Sequence, residues 1–389
     1  MTPVAGAIGQ LGGARLGELR RARVRANERF FAAEADRVAR LCHRMAERFA
    51  RGGRLLGTAD APAERTDARH VAVEFVHPVI VGKRALPALA CAPGDVALLA
   101  GEDDIVMAFD ADGSVTVTLG GPGGEPWRFA PPADDPFVAQ ELRETLYHVL
   151  WELVHVFFEH RGLLEGRAAE PVHDTGASSF LYPFLGEQEH DLDGVLADVR
   201  ASVLAKSAEV GELREQTLGE GAETLGGAAA ALRARLDAGG AVLALGNGGS
   251  ATDAADAVAD LRAPPAALSA WPRRRAIDLA EDPAILTAVA NDIGTEAIFA
   301  RQVIAYGSER DALLAISTSG NSANVIAALA EARRRGLATV ALVGYDGGRV
   351  AAEGLADHVV VTRSEHIPRI QEAQAAAWHV LRELIEAPR

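Results

Sequence analysis

The chain has 389 residues, 49% of them hydrophobic and 24% charged, a length that accommodates two domains with separate hydrophobic cores. The formal net charge of −15 argues against a nucleic-acid partner, and two cysteines are too few for a disulfide framework or a cysteine zinc site. There is no signal-peptide pattern and no apolar run long enough to cross a membrane, so we expect a cytoplasmic protein with no membrane partner.

The first elements in chain order are a long helix and a short apolar strand. The helix has apolar residues at helical spacing from Phe30 onwards and stops at Gly52-Gly53. A second helical pattern, TDARHVAVEF, follows at residues 66–75. Residues 106–119 alternate apolar and polar side chains around Asp112-Gly113, which predicts a β-hairpin.

An irregular segment rich in Gly, Pro and Ser separates this first part from the rest. It runs from Gly162 to Glu189 and contains SSFLYPFL, which we expect to dock on one domain. We therefore predict a first domain at residues 1–161, a connector at 162–200 and a second domain at 201–389.

The second part repeats the first. The helix, glycine stop and strand return at residues 228–246, TDAADAVADL (252–261) matches TDARHVAVEF, and QEAQAAAWHVLREL (371–384) matches QELRETLYHVLWEL (140–153). Three matched blocks in the same order indicate an internal duplication. The second copy is 45 residues longer between its blocks, where strands and helices alternate, as is typical of a parallel sheet with helices on both faces.

Two loops of the second copy have the features of a phosphate site. In VLALGNGGSATD a strand is followed by a glycine-rich turn and a helix, so that backbone N–H groups and the helix dipole face an anion. LLAISTSGNSANV repeats the arrangement and adds hydroxyl groups around Gly320. Either loop alone is compatible with a simple tight turn, but two in one domain favour phosphate binding.

Five motifs together resemble the sugar isomerase (SIS) domain of bacterial phosphoheptose isomerases. They are GNGGSATDA, ILTAVANDIG, FARQV, STSGNSANVI and RIQEAQ…HVLRELIE, and the resemblance extends over residues 242–386. It implies a flavodoxin-like α/β three-layer sandwich with a parallel sheet, duplicated here with a degenerate N-terminal copy. It also implies isomerisation of a ketose phosphate to an aldose phosphate, with no nucleotide cofactor, in a tetramer with active sites at subunit interfaces.

The resemblance carries specific residues with it. The substrate contacts that it implies, chiefly with the phosphate, are Asn247, Ser250, Asp292, Ser317, Thr318, Ser319 and Ser322. To these we add two glycines of the first loop and a glutamine of the last helix as candidate substrate-binding residues, namely Gly248, Gly249 and Gln371.

The family's acid–base and metal positions fall differently in the two copies. The family has a His and a Glu four residues apart on one helix and a Gln and a His eight apart on the last helix; this quartet binds zinc in many members, and its Glu and last His are the acid–base pair. The first copy retains the full quartet, His70, Glu74, Gln140 and His148. The second copy has Asp256, Asp260, Gln371 and His379, so Asp260 and His379 become its candidate catalytic residues.

The first copy has lost its phosphate loops. Pro62, Ala63 and Glu64 stand where the second copy has two glycines and Ser250, and the Glu64 carboxylate would repel a phosphate. Two interpretations of the retained quartet remain open. It is a metal site, most plausibly for Zn²⁺ on mixed nitrogen and oxygen ligands, or it is inherited helix packing with hydrogen-bonded polar groups.

Two functions remain open for the whole chain. The first is a sugar-phosphate isomerase that binds its phosphate in the second copy. The second is a non-catalytic SIS protein that binds a phosphosugar as a signal or serves as a metal-binding accessory. The apolar helices shared by the copies predict that the copies pack on each other, and that two chains form a homodimer resembling the family's tetramer.

Overall fold

A computed structural model describes residues 3–79, 83–164 and 191–388. It divides into two compact units, which we call the N-terminal unit (Ala26–Glu209) and the C-terminal unit (Met1–Arg25 with Val210–Arg389). The predicted domain boundaries stay a prediction, because most of the connector, including SSFLYPFL, lies outside the described residues. The described end of that connector is helical, since residues 192–200 belong to α5.

The described residues of the first half of the chain form five α-helices and five strands. In chain order they are α1 (Pro3–Ala50), β1 (Leu55–Ala59), α2 (Pro62–Val76), β2 (Ala88–Cys91), α3 (Pro93–Leu99), β3 (Ile105–Phe109), β4 (Val115–Leu119), β5 (Glu125–Phe129), α4 (Pro136–Glu159) and α5 (Leu192–Glu220).

The sheet of the N-terminal unit has the strand order β2-β1-β3-β4-β5. β1 pairs in parallel with both β2 and β3, whereas β3, β4 and β5 are antiparallel. β3 and β4 form the hairpin predicted from residues 106–119, with Phe109 opposite Val115. This hairpin occupies the place where the longer copy continues with alternating helices and strands. The N-terminal unit is therefore a shortened version of the other.

The second half of the chain adds seven helices and five strands. In chain order they are α6 (Ala222–Asp237), β6 (Val242–Leu245), α7 (Gly249–Arg262), β7 (Ala276–Asp278), α8 (Pro283–Asp292), α9 (Ala300–Tyr306), β8 (Ala312–Ser317), α10 (Ala323–Arg334), β9 (Ala338–Gly344), α11 (Gly348–Ala352), β10 (His358–Thr362) and α12 (Ile367–Glu386).

The C-terminal unit is a three-layer sandwich around a wholly parallel sheet of order β7-β6-β8-β9-β10. Counted within the unit this is the order 2-1-3-4-5, which is the flavodoxin-like arrangement. Alternate residues of each strand enter different cores: Val242 packs with α6, α7 and α12, whereas its neighbour Leu243 packs with α9 and α10. The near-continuous apolar runs of these strands follow from burial on both faces. The predicted flavodoxin-like SIS fold and its duplication are confirmed.

Within the described ranges, no helix is both long and apolar enough to span a bilayer.

Candidate functional site

The two predicted phosphate loops follow β6 and β8, which are neighbours in the sheet. In a parallel sheet of this order, the connections from these two strands leave in opposite directions, and a crevice opens beyond their carboxyl ends. Ligands of flavodoxin-like folds bind in that crevice. The fold therefore brings the two glycine-rich loops to one place.

The loop after β6 is shaped by glycine. A Cβ atom at Gly246 would lie 2.1 Å from the carbonyl oxygen of Ser250, so the loop cannot accept even alanine there without moving. Gly248 has φ of +57° and caps α7 at its N-terminus. Gly249 and Ser250 open the helix and are buried, so the N-terminus of α7, whose dipole favours an anion, lies at this loop.

The loop after β8 is held by its own hydroxyl groups. Ser317 Oγ accepts a hydrogen bond from the Gly320 N–H at 3.2 Å, and Ser319 Oγ accepts one from the Asn321 N–H at 3.2 Å. Gly320 has φ of +62°, and a Cβ atom there would lie 2.2 Å from the Gly347 carbonyl oxygen. Ser322 caps α10 without a side-chain capping hydrogen bond. Ser317 is buried and shapes the loop, whereas Ser319 and Ser322 are half-buried.

A pair of amides joins the two loops. Asn247 Nδ2 donates to Asn324 Oδ1 at 3.0 Å, and Asn324 Nδ2 donates back to Asn247 Oδ1 at 2.9 Å. Asn324 Oδ1 also accepts the Val325 N–H at 2.9 Å. Sequence reasoning missed Asn324, although it stands two residues after Ser322 in the same motif. The pair fixes the spacing of the loops in the absence of ligand.

The remaining predicted substrate residues lie in three places. Thr318 is half-buried in the loop after β8, and Gln371 is buried in the first turns of α12. Asp292 is exposed at the end of α8, where its Oδ1 accepts a hydrogen bond from Asn291 Nδ2 at 2.7 Å.

The C-terminal unit brings its candidate acid–base residues together. His379 Nε2 of α12 lies 3.5 Å from Asp256 Oδ2 and 3.8 Å from Asp260 Oδ2, both of α7. Trp378 Nε1 donates to Asp260 Oδ2 at 3.0 Å, while Asp260 Oδ1 is buried and has no hydrogen-bond partner among the described residues. Asp256 is the most exposed of the three at 8%, against 1% for Asp260 and 0% for His379. Their ligand atoms lie within 4.8 Å of one another, so the cluster also satisfies the geometry of a metal-binding group.

This environment changes the acidity of Asp260. Burial raises its pKa from 3.8 to about 7, and the nearby charge of Asp256 adds to the effect. His379, the Trp378 hydrogen bond and Arg382 oppose the shift. A carboxyl group with a pKa near neutrality can take up and release protons at physiological pH, as a general acid or base must.

The N-terminal unit brings together the histidines of the retained quartet. His70 of α2 and His148 of α4 point their Nε2 atoms at each other at 3.3 Å, and Glu74 Oε1 lies 3.7 Å from His70 Nε2. The Tyr147 hydroxyl lies 3.0 Å from His70 Nδ1, on the far side of the ring. Gln140, also predicted, is buried two turns earlier on α4.

Sequence reasoning missed a further carboxylate in this group. Glu144 of α4 has a ligand atom within 4.8 Å of those of His70 and His148, and all three residues are buried. The signal was present in the sequence, because Glu144 lies midway between Gln140 and His148 on one helix face, where the second copy has Ala375. The structure therefore contains the donor groups of a possible metal site in each unit.

In the N-terminal unit, charged residues occupy positions that correspond to the predicted phosphate site of the C-terminal unit. Arg143 of α4 is buried, with Nη2 3.2 Å from Asp67 Oδ2 and Nη1 3.9 Å from Glu64 Oε1. Arg143 Nη1 also donates to the Asp110 carbonyl oxygen at 3.2 Å. Glu64 is the counterpart of Ser250, and Arg143 is the counterpart of Gln374. A carboxylate, that of Glu64, thus stands where the other unit has Ser250, the serine predicted to contact the phosphate.

A cleft of about 620 Å³ adjoins the loop after β8. The residues that line it all have polar or charged groups: Ser319, Asn321, Tyr345, Asp346, Arg363, Ser364 and Glu365. Tyr345 adopts φ of +52°, a left-handed conformation that is rare for a bulky side chain. This strained residue lies at the carboxyl end of the sheet, beside the loop that contains Ser319.

Comparison with known proteins relates this chain to sugar-phosphate enzymes. The model of the SIS domain family matches residues 207–344. The chain is 42% identical over 176 residues to the phosphoheptose isomerase of Pelodictyon phaeoclathratiforme, a match that covers 45% of this chain and 82% of that protein. It is 40% identical over 173 residues to the phosphoheptose isomerase of Rhodospirillum rubrum, covering 43% and 88%.

Two solved structures are also similar to this chain. The phosphoheptose isomerase from Neisseria gonorrhoeae is 34% identical, with 48% of this chain and 98% of that chain covered and a TM-score of 0.45. The C-terminal domain of glucosamine-fructose-6-phosphate aminotransferase from Francisella tularensis covers 95% of this chain and 94% of its own, with a TM-score of 0.54 at 9% identity. The second likeness is one of fold alone and extends over both units.

Proposed function

The chain belongs to the phosphoheptose isomerase family of SIS-domain proteins, and on that premise we propose that it is a sugar-phosphate isomerase whose active site lies in its C-terminal unit. The proposal rests on one observation. The two loops predicted to bind phosphate lie together in the crevice beyond the carboxyl ends of β6 and β8, where the connections leave the sheet in opposite directions. The substrate class is a ketose phosphate and its aldose isomer, and the expected location is the cytoplasm.

Phosphate binding is assigned to the loops after β6 and β8. The N-terminus of α7 with Ser250, and the hydroxyl groups of Thr318, Ser319 and Ser322, offer donors around one anion. The Asn247–Asn324 pair holds the two loops at a fixed distance before the ligand arrives. Preorganisation of this kind reduces the ordering cost of binding.

The chemistry is assigned to Asp260 and His379. Isomerisation requires a base that removes a proton from the carbon next to the carbonyl and delivers it to the former carbonyl carbon, and an acid that protonates the carbonyl oxygen to form the enediol and then takes the proton of the neighbouring hydroxyl. Asp260, with a pKa near 7, suits the first role, and the His379 imidazole suits the second. Asp256, 3.5 Å from His379 Nε2, orients the imidazole and stabilises its protonated form.

The family's metal position is assigned to the N-terminal unit. His70, Glu74, Gln140 and His148 are the residues that would hold Zn²⁺, and two nitrogen donors 3.3 Å apart fit a tetrahedral zinc site with Zn–N bonds of about 2.0–2.1 Å. A zinc ion would supply Lewis acidity towards a substrate that reaches it. If no substrate reaches it, the ion would stabilise the folded unit. The chain's own residues in this unit orient the donors and exclude water.

Solvent-exchange NMR tests the assignment of the chemistry. In D₂O, formation of the enediol incorporates deuterium into sedoheptulose 7-phosphate even where net conversion is slow. We expect exchange with the parent protein and loss of exchange in Asp260→Asn. We expect Asp260→Glu, which restores the family's longer side chain, to exchange at least as fast as the parent. Glu309→Gln, at an exposed position of the same unit, is the matched control.

The alternative is a phosphosugar-binding protein without turnover. It is favoured by the replacement of the family's His and Glu by Asp256 and Asp260, and by the near-complete burial of Asp260. Calorimetric binding of the sugar phosphate with no deuterium exchange in the parent protein would establish this alternative. Two chains would form the homodimer of tandem units in either case.

A further inference from the structure

We propose that Glu144 is a metal ligand in the N-terminal unit, where it joins Glu74 and two histidines in a site with two imidazole and two carboxylate donors. This proposal rests on the metal site proposed above and changes its composition. It concerns residues 70–148 of this chain and is independent of isomerisation in the other unit.

The first argument is the arrangement of the two histidines. Two imidazole nitrogens 3.3 Å apart must have a proton or a cation between them, because facing lone pairs repel each other. Tyr147, at 3.0 Å from His70 Nδ1, directs the opposite nitrogen of that ring towards His148. A partner on the second ring nitrogen is the usual way in which proteins orient a metal-binding histidine.

The second argument is the position of Glu144. Glu144 lies four residues before His148, so both side chains project from one face of α4, and α4 packs against the helix that contains His70 and Glu74. The ligand atoms of Glu144, His70 and His148 lie within 4.8 Å of one another. Only 4% of Glu144 is exposed, so its carboxylate is directed into the unit and away from solvent.

The third argument is electrostatic. Two neutral imidazoles and two carboxylates carry a charge of about −2, which a divalent ion neutralises in full, whereas an amide ligand such as Gln140 adds no charge. A buried carboxylate is costly unless it pairs with a cation or coordinates a metal. The second copy has alanine at this position, Ala375, and has lost the paired histidine as well.

A chemical consequence follows from the number of protein donors. Four protein donors leave a tetrahedral ion without an open position, which is typical of a structural site. A metal bound in this way would fasten α2 to α4. Its removal would then lower the thermal stability of the protein without requiring any effect on isomerisation.

Metal affinity measured on the full-length, untagged protein tests the proposal. Apoprotein prepared with a chelator is titrated with Zn²⁺ in competition with a chromophoric chelator, and with Co²⁺, whose visible absorption reports four-coordinate geometry. Loss of an outer-shell partner costs about 10–100-fold in metal affinity, so we expect Glu144→Gln, which replaces a charged ligand with a neutral amide, to cost about 100-fold. Glu159→Gln, at an exposed position of the same helix, should leave affinity unchanged, and Tyr147→Phe should cost about tenfold.

Two results would overturn the proposal. One is unchanged Zn²⁺ affinity in Glu144→Gln when His70→Ala abolishes binding, which would leave a site without Glu144. The other is a parent protein that binds no divalent ion, in which case a proton lies between the two histidines. If Glu144→Gln fails to fold, X-ray absorption of the zinc-loaded parent is compared with that of Glu144→Asp, which keeps the charge but shortens the side chain. Two imidazole and two oxygen ligands in the parent, with an altered oxygen shell in Glu144→Asp, would support the proposal. An unaltered oxygen shell would refute it. Deuterium exchange in the C-terminal unit is scored separately, so failure of either proposal is visible without the other.

Discussion

Replacing Asp260 by Asn should make the protein more stable at alkaline pH and change the pH dependence of its stability. The folded state binds the Asp260 proton with a pKa of about 7, whereas the unfolded chain releases it near 3.8. Between these values the folded state holds a proton that the unfolded state lacks. The contribution of Asp260 to stability is therefore greatest below about pH 4, falls as the pH rises to about 7, and is constant above that.

The size of the effect follows from the same two values. A displacement from 3.8 to about 7 corresponds to roughly 4 kcal/mol, which is the cost of ionising this fully buried carboxyl in the folded protein. Between about pH 5 and about pH 8, the parent should lose about 2.5 kcal/mol of unfolding free energy through Asp260. Asp260→Asn should not lose this unfolding free energy, because asparagine does not ionise. Trp378 can still donate to the amide oxygen, and any cost of the buried amide NH₂ is the same at both pH values.

Urea unfolding of parent and variant near both pH values provides the measurement. At each pH the free energy of unfolding of the parent is subtracted from that of Asp260→Asn, and the value near pH 5 is then subtracted from the value near pH 8. Costs that do not depend on pH cancel in this double difference. Glu309→Gln, which alters an exposed carboxyl, should give a value near zero. Parallel stability profiles for the parent and Asp260→Asn would refute the reasoning, because they would show that Asp260 is already ionised in the folded protein near pH 5.

Three further predictions concern the phosphate loops and the assembly. Ser319→Ala should weaken calorimetric binding of a sugar phosphate by about 1–3 kcal/mol through loss of one charged hydrogen bond, and equal binding would contradict its assignment. Gly320→Ala should lower the free energy of unfolding by more than about 1 kcal/mol, because the new methyl group collides with the Gly347 carbonyl oxygen in a backbone conformation that favours glycine; an unchanged urea midpoint would show that the loop can relax. Light scattering should give the mass of two chains, and a strict monomer of 40.8 kDa would contradict the proposed homodimer.

Much of the fold follows from local patterns in the sequence. The runs DALLAIS and ATVALVG predict buried parallel strands because both faces of such strands are covered, and they form β8 and β9. The hairpin at residues 106–119 follows from strict alternation around Asp112-Gly113. β7, with only three residues, is too short to show a period, and the sequence did not predict it.

The site was predictable only in part, for a different reason. Glycine spacing locates both phosphate loops, because the need for positive φ at Gly248 and Gly320 is a local property. The Asn247–Asn324 pair, by contrast, joins residues 77 positions apart in the sequence. The spacing in the sequence places Glu144 on one helix face with His148, but the proximity of Glu144 and Tyr147 to His70 arises only when α4 packs on α2. The raised pKa of Asp260 depends on burial by the whole unit, so it cannot be predicted from the local sequence around this residue.

The ion pairs of Arg143 in the N-terminal unit bear on how the duplicated gene can evolve. Reverting Glu64 to serine alone would leave Arg143 facing Asp67, and reverting Arg143 alone would remove the cation that faces the buried Asp67 and the half-buried Glu64. Breaking a buried ion pair costs about 3–5 kcal/mol, a large share of the stability of an ordinary domain. A lineage could return to a phosphate-binding first copy only by changing both residues and rebuilding the glycines before Glu64, and loss of Arg143 would break its ion pair with the buried Asp67. The proposed division of labour between the two halves would therefore take several substitutions to reverse, at least one of which breaks a buried ion pair.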